Sequence, residues 1–283
     1  MRTCLLLLLS ALTLASCSSE PRRDWPTPSP ALWEVTGIDG QHGWLFGTIH
    51  ALPNGVEWHT PVLKQALADS SVLVVEIADL AEGDGGLFEK VAHTPGQMPL
   101  SQRVEPDERR ALTVLLKRAG KRDGDFADTE SWAAALILSS AIRSADPANG
   151  VDRALMEKAE RVEGLESFAA QYALFDTLAP ADQSDLLAAV AADAAGGDSS
   201  GPTEAWLTGD MNALEAAISG GILDYPNLRE VLVIGRNQEW AGKVTAMMAS
   251  EQPFVAVGAG HMIGDAGLPA LLAKRGYEVR RIQ

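Results

Sequence analysis

Cysteine is scarce in this chain of 283 residues, which contains only Cys4 and Cys17. Cys4 lies just before an apolar run near the start, and Cys17 lies just after it, so residues 18–283 contain no thiol. This long remainder can therefore form no disulfide, no cysteine nucleophile and no thiolate metal site.

Basic residues are also scarce, since 23 lysines and arginines stand against 38 acidic residues and give a net charge of −15. Binding to nucleic acid depends on lysine and arginine contacts with phosphate, so we expect no nucleic-acid partner. The same surface disfavours broad contact with anionic lipid. The charge says nothing about the fold.

Long apolar runs are missing everywhere except at the start, where Arg2 precedes an apolar segment from Leu5 to Ala15. A basic residue followed by such a segment is typical of a secretory signal, and the run is too short to span a membrane. It ends in Leu14-Ala15-Ser16-Cys17, which matches the processing site of bacterial lipoproteins. The pattern predicts a signal peptide at residues 1–16 and lipidation of Cys17. An ordinary signal peptide with a chance cysteine is the alternative.

A lipid anchor predicts a location in the bacterial cell envelope, facing the periplasm. Ser18 after the lipidated cysteine favours the outer membrane over the inner one. Residues 17–30 are rich in proline and serine, which predicts an extended tether between the membrane and the folded part. We expect one domain over residues 31–283.

Short apolar strands near both ends of the domain enclose a long helical middle. Strands are predicted at residues 32–36, 44–49, 71–77, 254–257 and 277–282. Helices are predicted at residues 62–67, 106–120, from 129 onwards, and at 151–161, 167–178, 182–195, 204–219, 227–249 and 268–275. This order predicts an α/β fold whose core is a mixed, partly parallel sheet.

Two segments run from a strand into the pattern Gly-x-x-His, at Gly47–His50 and at Gly258–His261. Histidines presented at a sheet edge lie where α/β proteins place their ligands, so the two are expected to converge on one cleft. Imidazole is the commonest protein ligand for a divalent metal. Glu76, a charged residue at the end of the apolar run Val72–Val75, is the natural third ligand. The alternative is that both histidines simply bond backbone groups at the ends of their strands.

Several segments resemble the TraB/PrgY/GumN family, in the same order along the chain. They are Leu32–Val35, the GTIHAL stretch Gly47–Leu52, Val75–Ile77, Gly150–Asp152, Gly164–Glu166, Arg236-Asn237 and FVAVGAGHMIG at Phe254–Gly264. The similarity covers about residues 31–283. It implies a fold related to the erythromycin-esterase and ChaN-like proteins.

The resemblance also implies a site. The family includes metalloproteases that use two Gly-x-x-His motifs and a glutamate with a divalent metal such as manganese or cobalt. Carried over, His50, Glu76 and His261 become metal ligands for manganese, cobalt or zinc. Glu166 becomes a second acid and Arg236 a charge partner. We expect Glu166, or Glu76 if it is not a ligand, to act as the general base, and Arg236 to stabilise the developing oxyanion.

The expected activity is metal-assisted hydrolysis of a peptide, or of another amide or ester, in the cell envelope. The chain has no Gly-x-Ser-x-Gly elbow for a serine mechanism and no Walker loop for nucleotides. Binding without catalysis is the alternative, with haem held by His50 or His261 as in ChaN-like lipoproteins, or with a sequestered peptide.

Four of the polar residues also have simpler interpretations. Arg236 would pair with an acidic neighbour, and Asn237 would cap a helix or bond backbone. Asp152 and Glu166 would stand at helix starts, where the helix dipole favours acidic residues.

Overall fold

The structure, a computed structural model, describes residues 23–283 except residues 82, 144, 196–199 and 219–220. The predicted signal peptide 1–16 and the lipidated Cys17 lie outside the described residues, so both stay predictions. Across the described ranges, no helix is long and apolar enough to cross a membrane.

The second half of the predicted tether lies against the domain. Trp25 packs on the same apolar cluster as the central strands, and the Ser29 amide donates to the Leu207 carbonyl at 2.7 Å. Residues 23–30 have no regular secondary structure. An indole side chain has a large apolar surface to bury, which explains why this part of the segment does not extend away from the domain.

Six strands form one sheet. They are β1 (Leu32–Thr36), β2 (His42–Thr48), β3 (Val72–Ile77), β4 (Val162–Glu166), β5 (Pro253–Gly258) and β6 (Glu278–Arg281). Their spatial order is β4-β3-β5-β2-β1-β6. The neighbours β4, β3, β5 and β2 run parallel, whereas β1 pairs antiparallel with both β2 and β6. The predicted mixed, partly parallel sheet is confirmed.

Twelve α-helices are found in the described part of the chain. They are α1 (Pro61–Asp69), α2 (Leu87–Val91), α3 (Arg109–Arg118), α4 (Ser131–Ile142), α5 (Val151–Met156), α6 (Phe168–Asp176), α7 (Pro180–Ala195), α8 (Ser200–Thr208), α9 (Met211–Ile218), α10 (Pro226–Arg229), α11 (Gly235–Met248) and α12 (Leu268–Lys274). A π-helical turn, Glu230–Ile234, joins α10 to α11.

Both faces of the sheet are covered, which explains the unbroken apolar run in β3. Leu73 and Val75 pack on one face with residues of α1, α5, α8 and α9. Val72 and Val74 pack on the other face with α11 and α12. Helices α3, α4 and α7 form a separate apolar core beside the sheet, around Trp132. The predicted helical middle is therefore a layer of its own.

Two predicted helices are wrong in extent. The helix expected at residues 151–161 ends at Met156, and the chain then forms β4, which the sequence analysis missed. Only Leu165 of β4 is buried, so this edge strand has no clear alternation and depends on pairing with β3. The helix expected at 204–219 is two helices, because Gly209 takes a left-handed φ of 67° between α8 and α9.

Gly209 yields a stability test with a matched control. A Cβ there would lie 2.5 Å from the Ser29 carbonyl oxygen, on a backbone conformation that L-residues avoid. Gly242 lies inside α11, and a Cβ added there meets nothing within 4 Å. We expect Gly209→Ala to lower the free energy of unfolding by about 1–3 kcal/mol and Gly242→Ala to raise it by about 1 kcal/mol. Urea unfolding measures both, and equal effects would contradict the assigned turn.

Candidate functional site

The site lies at one edge of the sheet, where the carboxyl ends of the four parallel strands meet. Glu76 is the second-to-last residue of β3 and Glu166 is the last residue of β4, while His50 follows β2 and His261 follows β5 on a 3₁₀ turn. Parallel neighbours end at the same edge, which is where α/β sheets place their ligands. The two Gly-x-x-His histidines and both acids, far apart in sequence, are thus brought together.

Three of these side chains surround Gly258, the last residue of β5. A Cβ built on Gly258 would lie 3.1 Å from Glu76 Oε1, 3.4 Å from His50 Nε2 and 3.7 Å from His261 Cδ2. The Gly258 amide donates to Glu76 Oε1 at 2.8 Å. We call His50, Glu76 and His261 the strand-end cluster. Any side chain at position 258 would fill the space between its members.

His50 is held from behind by a buried carboxylate. Its Nδ1 lies 2.8 Å from Asp152 Oδ2, and Thr48 Oγ1 donates to the other carboxylate oxygen at 2.5 Å. Asp152 is buried at the start of α5, whereas 62% of the His50 side chain is exposed. The hydrogen bond that the His50 ring makes to Asp152 raises the pKa of His50 to about 9, and the charge of Glu76 acts in the same direction.

His261 is buried and held by an amide. Its Nδ1 lies 2.7 Å from Asn237 Oδ1, and its ring packs against Trp240 with centroids 4.5 Å apart. Burial, together with the nearby Arg236 and His50 charges, lowers the pKa of His261 to about 4. The ring is neutral at pH 7, with its proton on the nitrogen that donates to Asn237 and its lone pair on Nε2.

Arg236 in α11 connects the two acids with His261. Its Nη2 donates to Glu76 Oε2 at 2.7 Å and to Glu166 Oε1 at 2.5 Å, and its Nε donates to Glu166 Oε2 at 3.2 Å. Nη1 lies 3.2 Å from His261 Nε2, within reach of its lone pair. The guanidinium also stacks over Trp240 at 4.4 Å. One buried cation thus meets two buried carboxylates.

The two acids respond differently to this environment. Burial raises the pKa of Glu166 above its usual range, against the opposing effect of Arg236. Burial also acts to raise the pKa of Glu76, but attraction to neighbouring cations and the Gly258 amide outweigh it and lower that pKa. Because His261 is neutral at pH 7, the positive charges that attract the Glu76 carboxylate at this pH are those of Arg236 and His50.

Comparison with known protein families identifies the family of this chain. The sequence profile of the TraB/PrgY/gumN family matches residues 31–281, nearly all of the described chain. The chain belongs to this family. No curated protein and no solved structure matches it.

In this TraB/PrgY/gumN family member, two imidazoles and one carboxylate are suitable ligand types for a divalent cation. Their present arrangement, however, does not form a metal site. His50 Nε2, the His261 ring and one Glu76 oxygen lie around the space beside Gly258, His261 Nε2 lies 3.9 Å from Glu76 Oε1, and the Nδ1 atoms of the two rings are fixed by Asp152 and Asn237. Metal-binding histidines are usually held in this way. As the side chains stand, however, no group of three or more histidine, cysteine or acidic residues in the described ranges could hold a metal ion.

Arg236 occupies part of the space that a metal ion would need, because its guanidinium contacts both His261 Nε2 and Glu76 Oε2. A divalent cation would have to replace these two contacts. The residues therefore fit a metal by type and orientation, provided that Arg236 retracts towards Glu166.

The alternatives that the sequence left open are partly resolved by these contacts. Arg236 does pair with acidic neighbours, and Asn237 does bond backbone, through Nδ2 to the His261 and Ala266 carbonyls. Both residues also touch His261. Glu166 ends β4 and does not cap α6, whose N-cap is Ser167.

Sequence reasoning missed what Thr48, Gly150 and Asp152 do together. A Cβ on Gly150 would lie 2.5 Å from the His50 carbonyl oxygen, so only glycine lets the start of α5 approach this closely. That approach carries Asp152 to the His50 ring. The stretch Gly150–Asp152 was noted as part of the family resemblance, but no spacing signal in the sequence linked it to residue 50.

The opposite protonation states of the two histidines can be measured. In metal-free protein at pH 7.5, we expect His50 to be protonated and His261 neutral, from pKa values of about 9 and about 4. Asp152→Asn removes the main cause at His50 and should return its pKa towards 6.5. NMR titration of the imidazole signals checks this, with Asp125→Asn on the exposed surface as the control.

The same shift fixes the sign of one pH effect. Because folding raises the pKa of His50, its contribution to stability is complete below pH 6.5 and is lost as the pH rises through about 9. A wild-type His50 that titrates near 6.5 would contradict the assigned bond to Asp152.

Proposed function

We propose that the chain is a metal-dependent hydrolase of the bacterial cell envelope that cleaves a peptide, or another amide or ester. The strand-end cluster would hold the divalent cation through His50 Nε2, His261 Nε2 and Glu76. The observation that carries this proposal is the convergence of these three side chains on the space left by Gly258. Two histidines and one carboxylate leave open positions for water and substrate.

What a divalent cation supplies in such a site is Lewis acidity, which polarises a carbonyl group and lowers the pKa of water. Asp152 and Asn237 each hold the Nδ1 atom of one ring, which leaves Nε2 of both rings as the nitrogen that would bind the cation. Glu76 supplies the negative charge that favours a cation there. The Gly258 amide fixes one oxygen of that carboxylate.

Arg236 and Glu166 would act on the reacting groups. Arg236 has N–H groups beside Glu76 and His261, where they can stabilise negative charge that develops on a carbonyl oxygen. Glu166 holds the guanidinium through both of its oxygens, which positions it. The raised pKa of Glu166 also suits a general base, which must take up a proton during hydrolysis.

His50 offers a second route for the same reaction. An imidazole paired with a buried carboxylate, and with its other nitrogen facing an open space, is the usual arrangement of a general base. Because the pKa of His50 is about 9, this route would require His50 first to lose its proton and would gain rate as the pH rises towards 9. Hydrolysis that survives removal of metal but is lost in His50→Ala would assign proton transfer to the His50–Asp152 pair. Hydrolysis that stops when metal is removed supports the metal-dependent route.

The location and the substrate class rest on the first residues and on the family. Lipidation of Cys17, including palmitate, would anchor the protein with the domain facing the periplasm, more favourably at the outer membrane than the inner one. Peptides and small amides or esters of the envelope would then reach the site. The acidic composition supports the proposal that nucleic acid is not a partner.

Elemental analysis of the purified chain tests the ligand set. We expect about one manganese, cobalt or zinc ion per wild-type chain, and loss of that ion in His50→Ala and in His261→Ala. Asp152→Asn and Asn237→Ala should weaken metal binding by about 10–100-fold, since they release the rings from behind. His93→Ala, which removes an exposed histidine paired with Glu89, is the matched control.

Retention of the metal in both His50→Ala and His261→Ala, with folding intact by circular dichroism, would refute this ligand set. Haem is the alternative cofactor. A Soret band that appears when haem is added, without metal-dependent turnover, would favour the non-catalytic lipoprotein instead.

Metal binding should also release a proton. His50 is protonated in the metal-free protein at pH 7.5, from its pKa of about 9, and it must be neutral to bind a metal. We therefore expect release of about one proton per ion, seen by calorimetry as heats that depend on the ionisation enthalpy of the buffer. Asp152→Asn should abolish most of this release. Heats independent of the buffer would mean that His50 is not a ligand.

A further inference from the structure

A cavity of about 320 Å³ is lined in part by sequence neighbours of His261 and Arg236 and is unused by the proposed chemistry. Its walls come from α9, from the π-helical turn before α11, and from the loop that carries His261. A volume of about 300 Å³ or more is the usual size of a ligand pocket. The cavity is therefore large enough for one amino-acid residue of a substrate.

Two segments that carry residues of the site also line the cavity. Gly260 lines it and directly precedes His261, while Ile234 lines it two residues before Arg236. The Arg236 Nη1 atom bonds the Leu232 carbonyl of the same π-helical turn. A ligand in this cavity would therefore contact the same loop and helix that present His261 and Arg236.

The wall combines aliphatic side chains with charges of both signs. Ile218, Leu223, Val233 and Ile263 supply apolar surface, and Glu215, Asp265 and Arg229 supply the charges.

None of the three charged side chains forms an ion pair or a side-chain hydrogen bond within the described part of the chain. Arg229 and Asp265 are exposed to solvent and Glu215 is half-buried, so all three can reach a ligand that enters the cavity and carries both charges itself.

The arrangement indicates which groups the ligand carries. A guanidinium binds a carboxylate through two parallel hydrogen bonds, which favours a free carboxyl group at Arg229. An ammonium group has three donors and no acceptor, so one ammonium can bond both Glu215 and Asp265. The aliphatic wall suits a chain of methylene groups between the two charges.

We infer that this cavity binds the C-terminal lysine of a peptide substrate, with its carboxylate at Arg229 and its ammonium at Glu215 and Asp265. This inference rests on the proposed hydrolysis of peptides, because it names the residue that lies next to the reacting bond. The binding itself requires no metal. It can therefore be tested separately from the hydrolase proposal.

The test measures the binding of three short peptides to the whole chain by calorimetry in the presence of EDTA. The first is acetyl-alanyl-alanyl-lysine with a free carboxylate. The second is its C-terminal amide, and the third has norleucine in place of lysine. Each control peptide loses one charge and keeps the length. We expect the amide and the norleucine peptide to bind at least about 10-fold more weakly than the first, since each loses hydrogen bonds to a charged group.

Variants assign each charge to its partner. Arg229→Gln should weaken binding of the first peptide, which has the free carboxylate, at least about 10-fold, so that it binds no more tightly than its C-terminal amide. Glu215→Gln with Asp265→Asn should remove the advantage of lysine over norleucine. Arg110→Gln makes the same change at an exposed arginine of α3 and should leave all affinities unchanged.

Two results would overturn the inference: equal affinity for all three peptides, including no binding of any, or unchanged affinity in Arg229→Gln. Free lysine that binds as tightly as the peptide would overturn the peptide as the source and assign the cavity to the amino acid. Failure of the metal analysis alongside selective peptide binding would refute the hydrolase while leaving the lysine site in place.

Discussion

The structure of this site depends on one guanidinium placed between two buried carboxylates. Glu76 and Glu166 lie at the carboxyl ends of neighbouring parallel strands, and their side chains are only 13% and 7% exposed. Two such charges repel each other, and burying them without a partner is costly. Arg236 neutralises both and ties α11 to the ends of β3 and β4. Removing it would leave uncompensated charge inside the site, which is why the position of α11 and the geometry of the cluster are linked.

Burial of His261 and the contact of His50 with Asp152 set the electrostatic difference between the two histidines. His261 lies against Arg236 and Trp240 in a buried pocket, so its neutral form is favoured. His50 lies opposite, open to solvent and backed by Asp152, so its charged form is favoured. Metal binding needs both rings neutral. Binding of a divalent cation would therefore require His50 to lose its proton and Arg236 to give up its contact with His261.

The fold could be predicted from the sequence wherever burial leaves a repeating pattern. The run Val72–Val75 indicated a strand covered on both faces, and the order of strands and helices indicated a mixed sheet. β4 could not be predicted, because one buried residue gives no pattern and its pairing with β3 is a long-range contact. At the site, Gly-x-x-His identified two ring positions. The approach of Asp152 to His50 depends on how α5 packs, which no local spacing encodes.

The loop after β5 explains why recognition and chemistry would be coupled in this protein. Asn237 bonds the ring and the carbonyl of His261 and also the Ala266 carbonyl, so one side chain fixes both ends of the loop. One side of this loop presents His261 to the cluster around Gly258. Gly260 and Ile263 of the same loop line the neighbouring cavity. A ligand that fills the cavity therefore contacts a segment held rigid against the cluster. The position of such a ligand would then bear on His261, which the same loop presents to the cluster.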